Sequence, residues 1–290
     1  VVIQYLLVRR WTRHHRAAVF YHHALDRVED RWIGSADAGD RYADANHLYA
    51  SDLDLFGRGS LFQLLCTPRT ASGRDTLAQW LLRSADVGAI RARQAAVGEL
   101  SGQLDWREAL DATGAVAPQV SMADVQRAAT AERLIGRSWL RVLVALAGWC
   151  TVAGAWMVWH VGTWWWGPLL AGLACEVAVY LLVRARLHVI CDRGFQIGRS
   201  LQAVSAFAAL LGRRTWRSEL WQAIRRALGH APTPLRKSAA VPLGLLMQLP
   251  GAYFLAVQLA PVLESRVLAR IARLPAAWEL IGQCETLAAL

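Results

Sequence analysis

The sequence predicts an all-α protein, a helical bundle into which one hydrophobic helical hairpin is inserted. Apolar residues recur at helical spacing along most of the chain, as in residues 72–83 and 87–100. Two nearly uncharged runs, 142–159 and 164–183, are each about as long as a bilayer-spanning helix. Hydrophobic residues make up 55% of the chain and 14 residues are tryptophan. The mean hydropathy of +0.25 also favours contact with a membrane.

The charge of the chain points to a polyanionic partner. Its 290 residues allow one large domain or two ordinary ones and carry a formal net charge of +10. Lys237 is the only lysine, so arginine supplies almost all of the positive charge. A basic chain binds nucleic acid or the anionic surface of a bilayer, and charge by itself does not separate the two.

The five cysteines indicate neither a disulfide scaffold nor a zinc site. They are scattered, odd in number, and form no CxxC pair. Cysteines in this arrangement are typical of a protein in a reducing compartment.

Residues 1–10 are predicted to be the end of a truncated hydrophobic segment, because their apolar stretch is too short to span a bilayer and stops at a basic block. Residues 11–50 follow as an amphipathic helix and an aspartate-rich loop. The helix carries four histidines, His14, His15, His22 and His23. No carboxylate or cysteine beside them completes a ligand set, so we predict no metal there.

Residues 51–137 hold the densest set of specific signals. Gly57 and Gly59 predict a tight turn, because glycine reaches positive φ at little cost. Ser60 stands at an N-cap position before a short apolar helix, and Pro68 ends that helix. The two helices over 72–83 and 87–100 come next.

The order of residues in this segment resembles the start of the core domain of MutS-family mismatch-repair ATPases. The pattern is a Gly-Ser-Leu run, a turn with two leucines and two threonines, a glycine, a Leu-x-x-Trp-Leu helix and an Ile-x-x-Arg helix. The residues that carry it are Gly59, Ser60, Leu61, Leu64, Leu65, Thr67, Thr70, Gly73, Leu77, Trp80, Leu81 and Arg93. The last ten residues, 281–290, are similar to the helix that closes the same core. Cys66 departs from the family, which has an acidic or polar residue there.

This resemblance implies a MutS core-like bundle that couples a C-terminal ATPase domain to DNA. ATP and Mg²⁺ would bind in a missing domain beyond Leu290, and the family's role would be DNA mismatch repair through binding of mismatched DNA, as a homodimer. The chain itself contains no GxxxxGK[ST], GxSxG or HExxH motif. We therefore predict no catalytic, cofactor or metal site within these residues.

Residues 138–187 are predicted to form a transmembrane hairpin. Two arginines precede its first run, two follow its second, and the turn between the runs has none, which is the positive-inside pattern of a hairpin with cytoplasmic ends. Glu176 is costly in lipid and is expected to face a partner or be protonated. A helical hairpin buried in a soluble core is the alternative. In the resembled family this region begins the levers that lead to the DNA clamp, so a hydrophobic hairpin is a departure.

Residues 188–235 are predicted to form basic amphipathic helices. Helical spacing predicts an inward face made of Ile190, Phe195, Ile197, Leu201, Val204, Phe207 and Leu210. Arginines there cluster around two tryptophans: Arg213, Arg214, Trp216, Arg217, Trp221, Arg225 and Arg226. Such a cluster suits the phosphates and bases of nucleic acid, the cytoplasmic surface of a membrane, or a plain solvated face. The nearby hairpin favours the membrane surface.

Residues 236–290 are predicted to contain a kinked hydrophobic helix, over about 238–263 and packed against residues 60–100, and then the closing helix.

Three functions remain open from the sequence. The favoured one is the core portion of a membrane-associated MutS-like ATPase in the bacterial inner membrane, with its other domains in the cytoplasm. The alternative is a membrane-embedded scaffold or transporter-like subunit without a role on DNA. The third is a soluble, cytoplasmic DNA-binding module whose hydrophobic runs form its own core.

Overall fold

The computed structural model describes residues 2–117, 138–161, 166–230 and 274–290. Those residues are helical or irregular, with no strand among them, so the all-α prediction is confirmed for them. The α-helices there are α1 (Val2–Val28), α2 (Leu61–Leu65), α3 (Ala71–Leu82), α4 (Val87–Leu100), α5 (Leu104–Gly114), α6 (Ser138–Val161), α7 (Trp166–Gly212), α8 (Glu219–Gly229) and α9 (Leu274–Ala289). One 3₁₀ turn, Asp40–Tyr42, lies in the loop after α1.

The chain divides into two compact units. The first unit comprises residues 1–125, 200–233 and 273–290, and the second comprises 126–199 and 234–272. The last turns of α7 belong to the first unit and the rest of that helix belongs to the second.

The turn before α2 follows the sequence prediction closely. Gly57 and Gly59 have φ of 108° and 79°, the left-handed region that glycine adopts without strain. Ser60 is the N-cap of α2, because its hydroxyl accepts a hydrogen bond from the backbone N–H of Gln63 at 3.2 Å. The Gln63 side chain is buried and donates to the carbonyl of Ala36 at 2.9 Å. This amide therefore holds the loop after α1 against α2.

Two helices extend beyond their predicted limits. Helix α1 begins at Val2, so the hydrophobic segment 1–10 and the amphipathic helix after it are one continuous element. Helix α7 runs unbroken to Gly212, across the boundary predicted at 187. No proline follows Pro168 in this helix, and isolated glycines do not stop a helix.

The end of α7 helps to form the core of the first unit. Its buried side chains are Leu201, Val204, Phe207, Leu210 and Leu211. The first four were predicted to face inward from their helical spacing, which is confirmed.

Helices α6 and α7 approach each other closely in the second unit. A Cβ added to Gly154 would lie 2.8 Å from the backbone N and Cα of Leu169, and one added to Gly172 would lie 3.0 Å from the backbone N of Thr151. Glycine permits such backbone contact between helices.

Within the described ranges, no helix combines the length and apolar content needed to cross a bilayer. The predicted transmembrane hairpin of 138–187 therefore finds no support there. The predicted hydrophobic helix over 238–263 and the side chain of Glu176 lie outside what the structure describes.

Candidate functional site at the junction of α3 and α9

A buried carboxylate joins the start of α3 to α9. Glu285 on α9 is 4% exposed, and its Oε2 accepts hydrogen bonds from the backbone N–H of Thr70 at 3.1 Å and from the Thr70 hydroxyl at 2.5 Å. The same hydroxyl accepts from the N–H of Gly73 at 3.0 Å and so caps α3. One threonine therefore begins a helix and anchors a second helix that is 215 residues away in the sequence.

Glycines let the two helices come this close. A Cβ at Gly73 would collide with the Glu285 carboxylate and lie 2.7 Å from the Cβ of Pro68. A Cβ at Gly282, on the facing side, would lie 2.7 Å from the carbonyl oxygen of Ser72. Because even a methyl group has no room, the separation of α3 and α9 is fixed by these two positions.

Hydroxyl groups form further hydrogen bonds across the same contact, whereas the Trp278 Nε1 and the Glu285 Oε1 are buried without a hydrogen-bond partner among the described residues. Ser72 donates to the carbonyl of Trp278 at 2.6 Å. Thr286 donates to the carbonyl of Gly73 at 3.2 Å and to that of Gly282 at 2.8 Å. Trp278 and Thr286 are fully buried, so these are hydrogen bonds inside the core, where an unpaired polar group is costly.

Burial controls the protonation of the junction carboxyl. Loss of water raises the pKa of Glu285 from its ordinary value of 4.5 to about 7, against the opposing effect of hydrogen bonds from Thr70 and Arg69 and of the charge on Arg74. Burial also raises the pKa of the neighbouring Cys284 thiol, which stays protonated. The group at the centre of the junction therefore changes charge near neutral pH.

The structure places the MutS-like motif residues around this junction and the small core beside it. Thr70 and Gly73 contact Glu285 directly. Leu77 is buried against Phe62 and Ala78. Other motif residues form α2 and the turn before it. The guanidinium of Arg93, on α4, lies 3.7 Å from the centre of the Trp80 ring of α3.

The two tryptophans of the predicted basic cluster belong to the core, which corrects the prediction that they contact a nucleic acid or a membrane. Trp216 and Trp221 are 5% and 0% exposed and stack with ring centroids 4.7 Å apart. Trp106 of α5 meets both rings edge-on, and the Trp221 indole donates to the carbonyl of Ala96 at 3.1 Å. Both tryptophans lie on the apolar face that α8 and the preceding turn present to the first unit, together with Ile224.

The arginines of that cluster behave differently from its tryptophans. Arg214 is half-buried, with its guanidinium 5.5 Å from the centre of the Trp216 ring. The exposed members are Arg213, Arg217, Arg225 and Arg226. The structure therefore leaves a basic surface without exposed aromatic partners in the cluster.

Sequence reasoning missed Glu285, which is the central residue of the site. The available signal was that it is the only charged residue in 281–290, a segment otherwise apolar or neutral. A lone carboxylate on an apolar helix face is expected to be paired when it is buried.

The junction is suited to transmit movement and carries no arrangement for covalent chemistry among the described residues. Within those ranges, no group of three or more His, Cys, Asp or Glu side chains is placed to hold a metal ion. Comparison of the chain with protein-family models, curated proteins and solved structures finds no match.

Proposed function

We propose that this chain is the non-catalytic core of a membrane-associated, MutS-like ATPase. In this proposal a nucleotide-binding domain after Leu290 binds ATP and Mg²⁺, and α9 passes its nucleotide state into the helices before and beside it. In response, a homodimer of the protein at the bacterial inner membrane binds DNA, including mismatched DNA, or another partner. The family assignment comes from the resemblance of the motif residues.

The α3–α9 contact is the observation that supports this role. Its glycines, hydroxyls and buried carboxylate leave no room for α9 to shift alone. The last turn of α9 is also held at two backbone carbonyls, that of Ala288 by Arg107 of α5 at 2.9 Å and that of Ala289 by Arg27 of α1 at 3.3 Å. A displacement of α9 is therefore passed to α1, α3 and α5, because close-packed helices transmit strain.

The first test extends the chain through the reading frame downstream of Leu290 and measures ATP binding and hydrolysis with and without DNA. We expect DNA to change the ATP hydrolysis rate several-fold, and Gly282→Ala to reduce that response while ATP binding persists. Gly98→Ala is the control, because a Cβ at Gly98 meets nothing within 4 Å. An extended protein that binds no nucleotide contradicts the proposal.

The exposed arginines allow a direct test of whether the protein binds DNA. Arg225 and Arg226 lie together on α8, and neutralising both is expected to weaken DNA binding. The slope of log affinity against log salt should also become shallower, by about 0.9 for each phosphate that an arginine no longer neutralises. Arg91→Gln on exposed α4 surface is the matched control. If the double variant and the control bind DNA equally, these arginines are only a solvated face.

A second candidate, a membrane-embedded scaffold without a role on DNA, is favoured by the hairpin of α6 and α7. Large apolar side chains on it are about half to fully exposed and recur every three or four residues: Val142, Leu146, Trp149, Val152, Trp156, Trp159, Trp166, Leu170, Leu173, Val177 and Leu181. A continuous exposed apolar stripe of this size is typical of a surface covered by lipid or by a partner.

Fractionation of the expressed chain separates these candidates. If the chain stays in the membrane pellet through a carbonate wash and is released by detergent, the MutS-like core and the scaffold are both supported as membrane-associated proteins. If DNA then leaves the ATP hydrolysis rate of the extended protein unchanged, the scaffold is favoured. A chain that the carbonate wash releases without detergent contradicts the scaffold, and the soluble DNA-binding module remains.

A further inference from the structure

A cavity of about 320 Å³ lies beside the junction within the first unit. Its walls come from α1, the loop after α1, the start of α3, α5 and the last turn of α9. Four arginines line it, Arg27, Arg69, Arg74 and Arg107. The four guanidinium groups repel one another, and three carboxyl groups of the same lining, those of Asp37, Asp111 and Glu285, offset part of their charge.

Two of the four arginines are offset by carboxylates. Arg69 forms a two-point ion pair with Asp111, with N–O distances of 2.6 and 3.3 Å. Arg74 lies 3.8 Å from a carboxylate oxygen of Asp37. These pairs leave little net charge on their side of the cavity.

The other two arginines carry the excess charge. Among the described residues, no carboxylate lies within ion-pair distance of Arg27 or Arg107. Each donates only to a carbonyl at the end of α9, and a helix C-terminus carries about half of one negative charge. The two arginines hold adjacent carbonyls, those of Ala289 and Ala288. Burial, and then the charge of Arg107, lower the pKa of Arg27. The Arg107 Nε is buried without a hydrogen-bond partner.

The remainder of the lining mixes apolar side chains with polar ones, among them the carboxyl group of Glu285. Phe20 of α1 and Leu104 and Leu110 of α5 form part of it, with Trp32 from the loop. A group that fills such a cavity needs a compact, strongly anionic end and a less polar body. A phosphate ester combines the two, and arginine binds phosphate oxygens through two parallel N–H groups.

We propose that this cavity binds a small phosphate ester, with Arg27 and Arg107 holding the phosphate. The ligand draws α1, α5 and α9 together, because both arginines already hold the end of α9. This site is separate from the proposed nucleotide domain and does not depend on the MutS-like assignment. The phosphate comes either from a soluble metabolite such as a mononucleotide or from the headgroup of a phospholipid.

The test uses the full chain in detergent solution with three probes, inorganic phosphate, adenosine 5′-monophosphate and glycerol 3-phosphate, each compared with chloride at equal ionic strength. We expect at least one probe to raise the midpoint of thermal unfolding and to bind measurably by calorimetry. Preference for the mononucleotide identifies a soluble ligand. Preference for glycerol 3-phosphate, with displacement of that probe by vesicles that contain phosphatidic acid, identifies a lipid headgroup.

Three variants decide whether binding occurs in the cavity. Ala24→Leu narrows it while leaving every arginine in place, and Ala18→Leu on exposed surface of the same helix is its control. We expect Ala24→Leu to bind the probe about tenfold more weakly and Ala18→Leu to bind as the unaltered chain does. Arg27→Gln is expected to weaken binding by a similar factor, with circular dichroism used to verify that it is folded.

Equal stabilisation by chloride and by all three probes overturns the proposal. Equal probe affinity of the Ala24→Leu and Ala18→Leu variants overturns it as well. Neither result depends on whether the extended protein hydrolyses ATP. The phosphate-ester proposal and the proposed coupling role can therefore be disproved separately.

Discussion

Two helix pairs in this protein pack closely through glycine, and their surroundings are opposite in character. At the contact of α3 and α9, Gly73 and Gly282 lie among hydroxyls and a buried carboxylate, and the Thr70 hydroxyl donates to that carboxylate. At the contact of α6 and α7, Gly154 and Gly172 meet backbone, and the outward side chains of both helices are exposed leucine, valine and tryptophan. We call these the polar junction and the apolar hairpin.

Glycine has the same effect in both helix pairs, whereas the side chains around it have different effects. In both pairs the missing Cβ allows the backbones to approach, which brings many atoms into van der Waals contact. In the polar junction the hydrogen bonds also fix one register, because Thr70 and Glu285 must face each other. In the apolar hairpin the exposed apolar side chains leave the outer surface to be covered by lipid or by a partner. The proposed function assigns the transmission of movement to the polar junction and the attachment of the protein to the apolar hairpin.

The largest expected effect is a pH dependence of stability that comes from the polar junction. The pKa of Glu285 is raised to about 7 in the folded chain, so between pH 4.5 and 7 the folded state keeps a proton that the unfolded state has released. The free energy of unfolding should therefore fall as pH rises through this window, by on the order of 3 kcal/mol, and then level off.

Urea denaturation at several pH values, with the unaltered chain and Glu285→Gln, measures this effect. The glutamine variant keeps an acceptor for Thr70 and has no titrating proton, so its stability should be nearly flat over the same window. An unchanged slope in Glu285→Gln would show that groups other than Glu285 cause the pH dependence.

A methyl group at Gly73 should break the polar junction almost as severely. The added Cβ collides with the Glu285 carboxylate and approaches Pro68, whose ring cannot move away, so we expect a loss of about 2–3 kcal/mol. Gly98→Ala is the control and should be neutral or stabilising by about 0.5–1 kcal/mol, since it only improves helix propensity. Equal effects of the two substitutions would mean that α3 and α9 are not in close contact.

Removal of one hydroxyl should have a smaller effect. Thr70→Val keeps the shape of the side chain but loses both the cap of α3 and the hydrogen bond to Glu285, for an expected loss of about 2 kcal/mol. Thr113→Val removes a hydroxyl that bonds only within α5, to the carbonyl of Ala109, and should change stability by less than about 0.5 kcal/mol. Guanidinium denaturation of the two variants side by side tests the difference.

The smallest effect on stability is expected in the apolar hairpin. Leu146 and Leu170 are each 56% exposed, so Leu146→Gln and Leu170→Gln should change the free energy of unfolding by less than about 0.5 kcal/mol. The same pair of substitutions should reduce flotation of the chain with anionic lipid vesicles, whereas Val28→Gln on exposed α1 should not. A loss of stability above about 2 kcal/mol would show instead that these leucines are packed.

The sequence by itself determined the local structure of this protein. Helical spacing identified α3, α4 and the inward face of the end of α7, and the positive φ of Gly57 and Gly59 and the cap at Ser60 followed from the chemistry of those residues. These features depend on residues that are close together in the sequence, so helix-propensity and capping rules predict them.

Only the tertiary structure decided which distant residues meet. Thr70 and Glu285 are 215 residues apart, and nothing in either segment specifies the other as its partner, so the central carboxylate of the site was missed. Trp216 and Trp221 looked like surface aromatics because arginines surround them in the sequence. They are buried because the turn before α8 and α8 itself direct them toward α4 and α5. Local patterns fix the helices, whereas burial and long-range hydrogen bonds, which sequence spacing does not encode, decide what each helix face contacts.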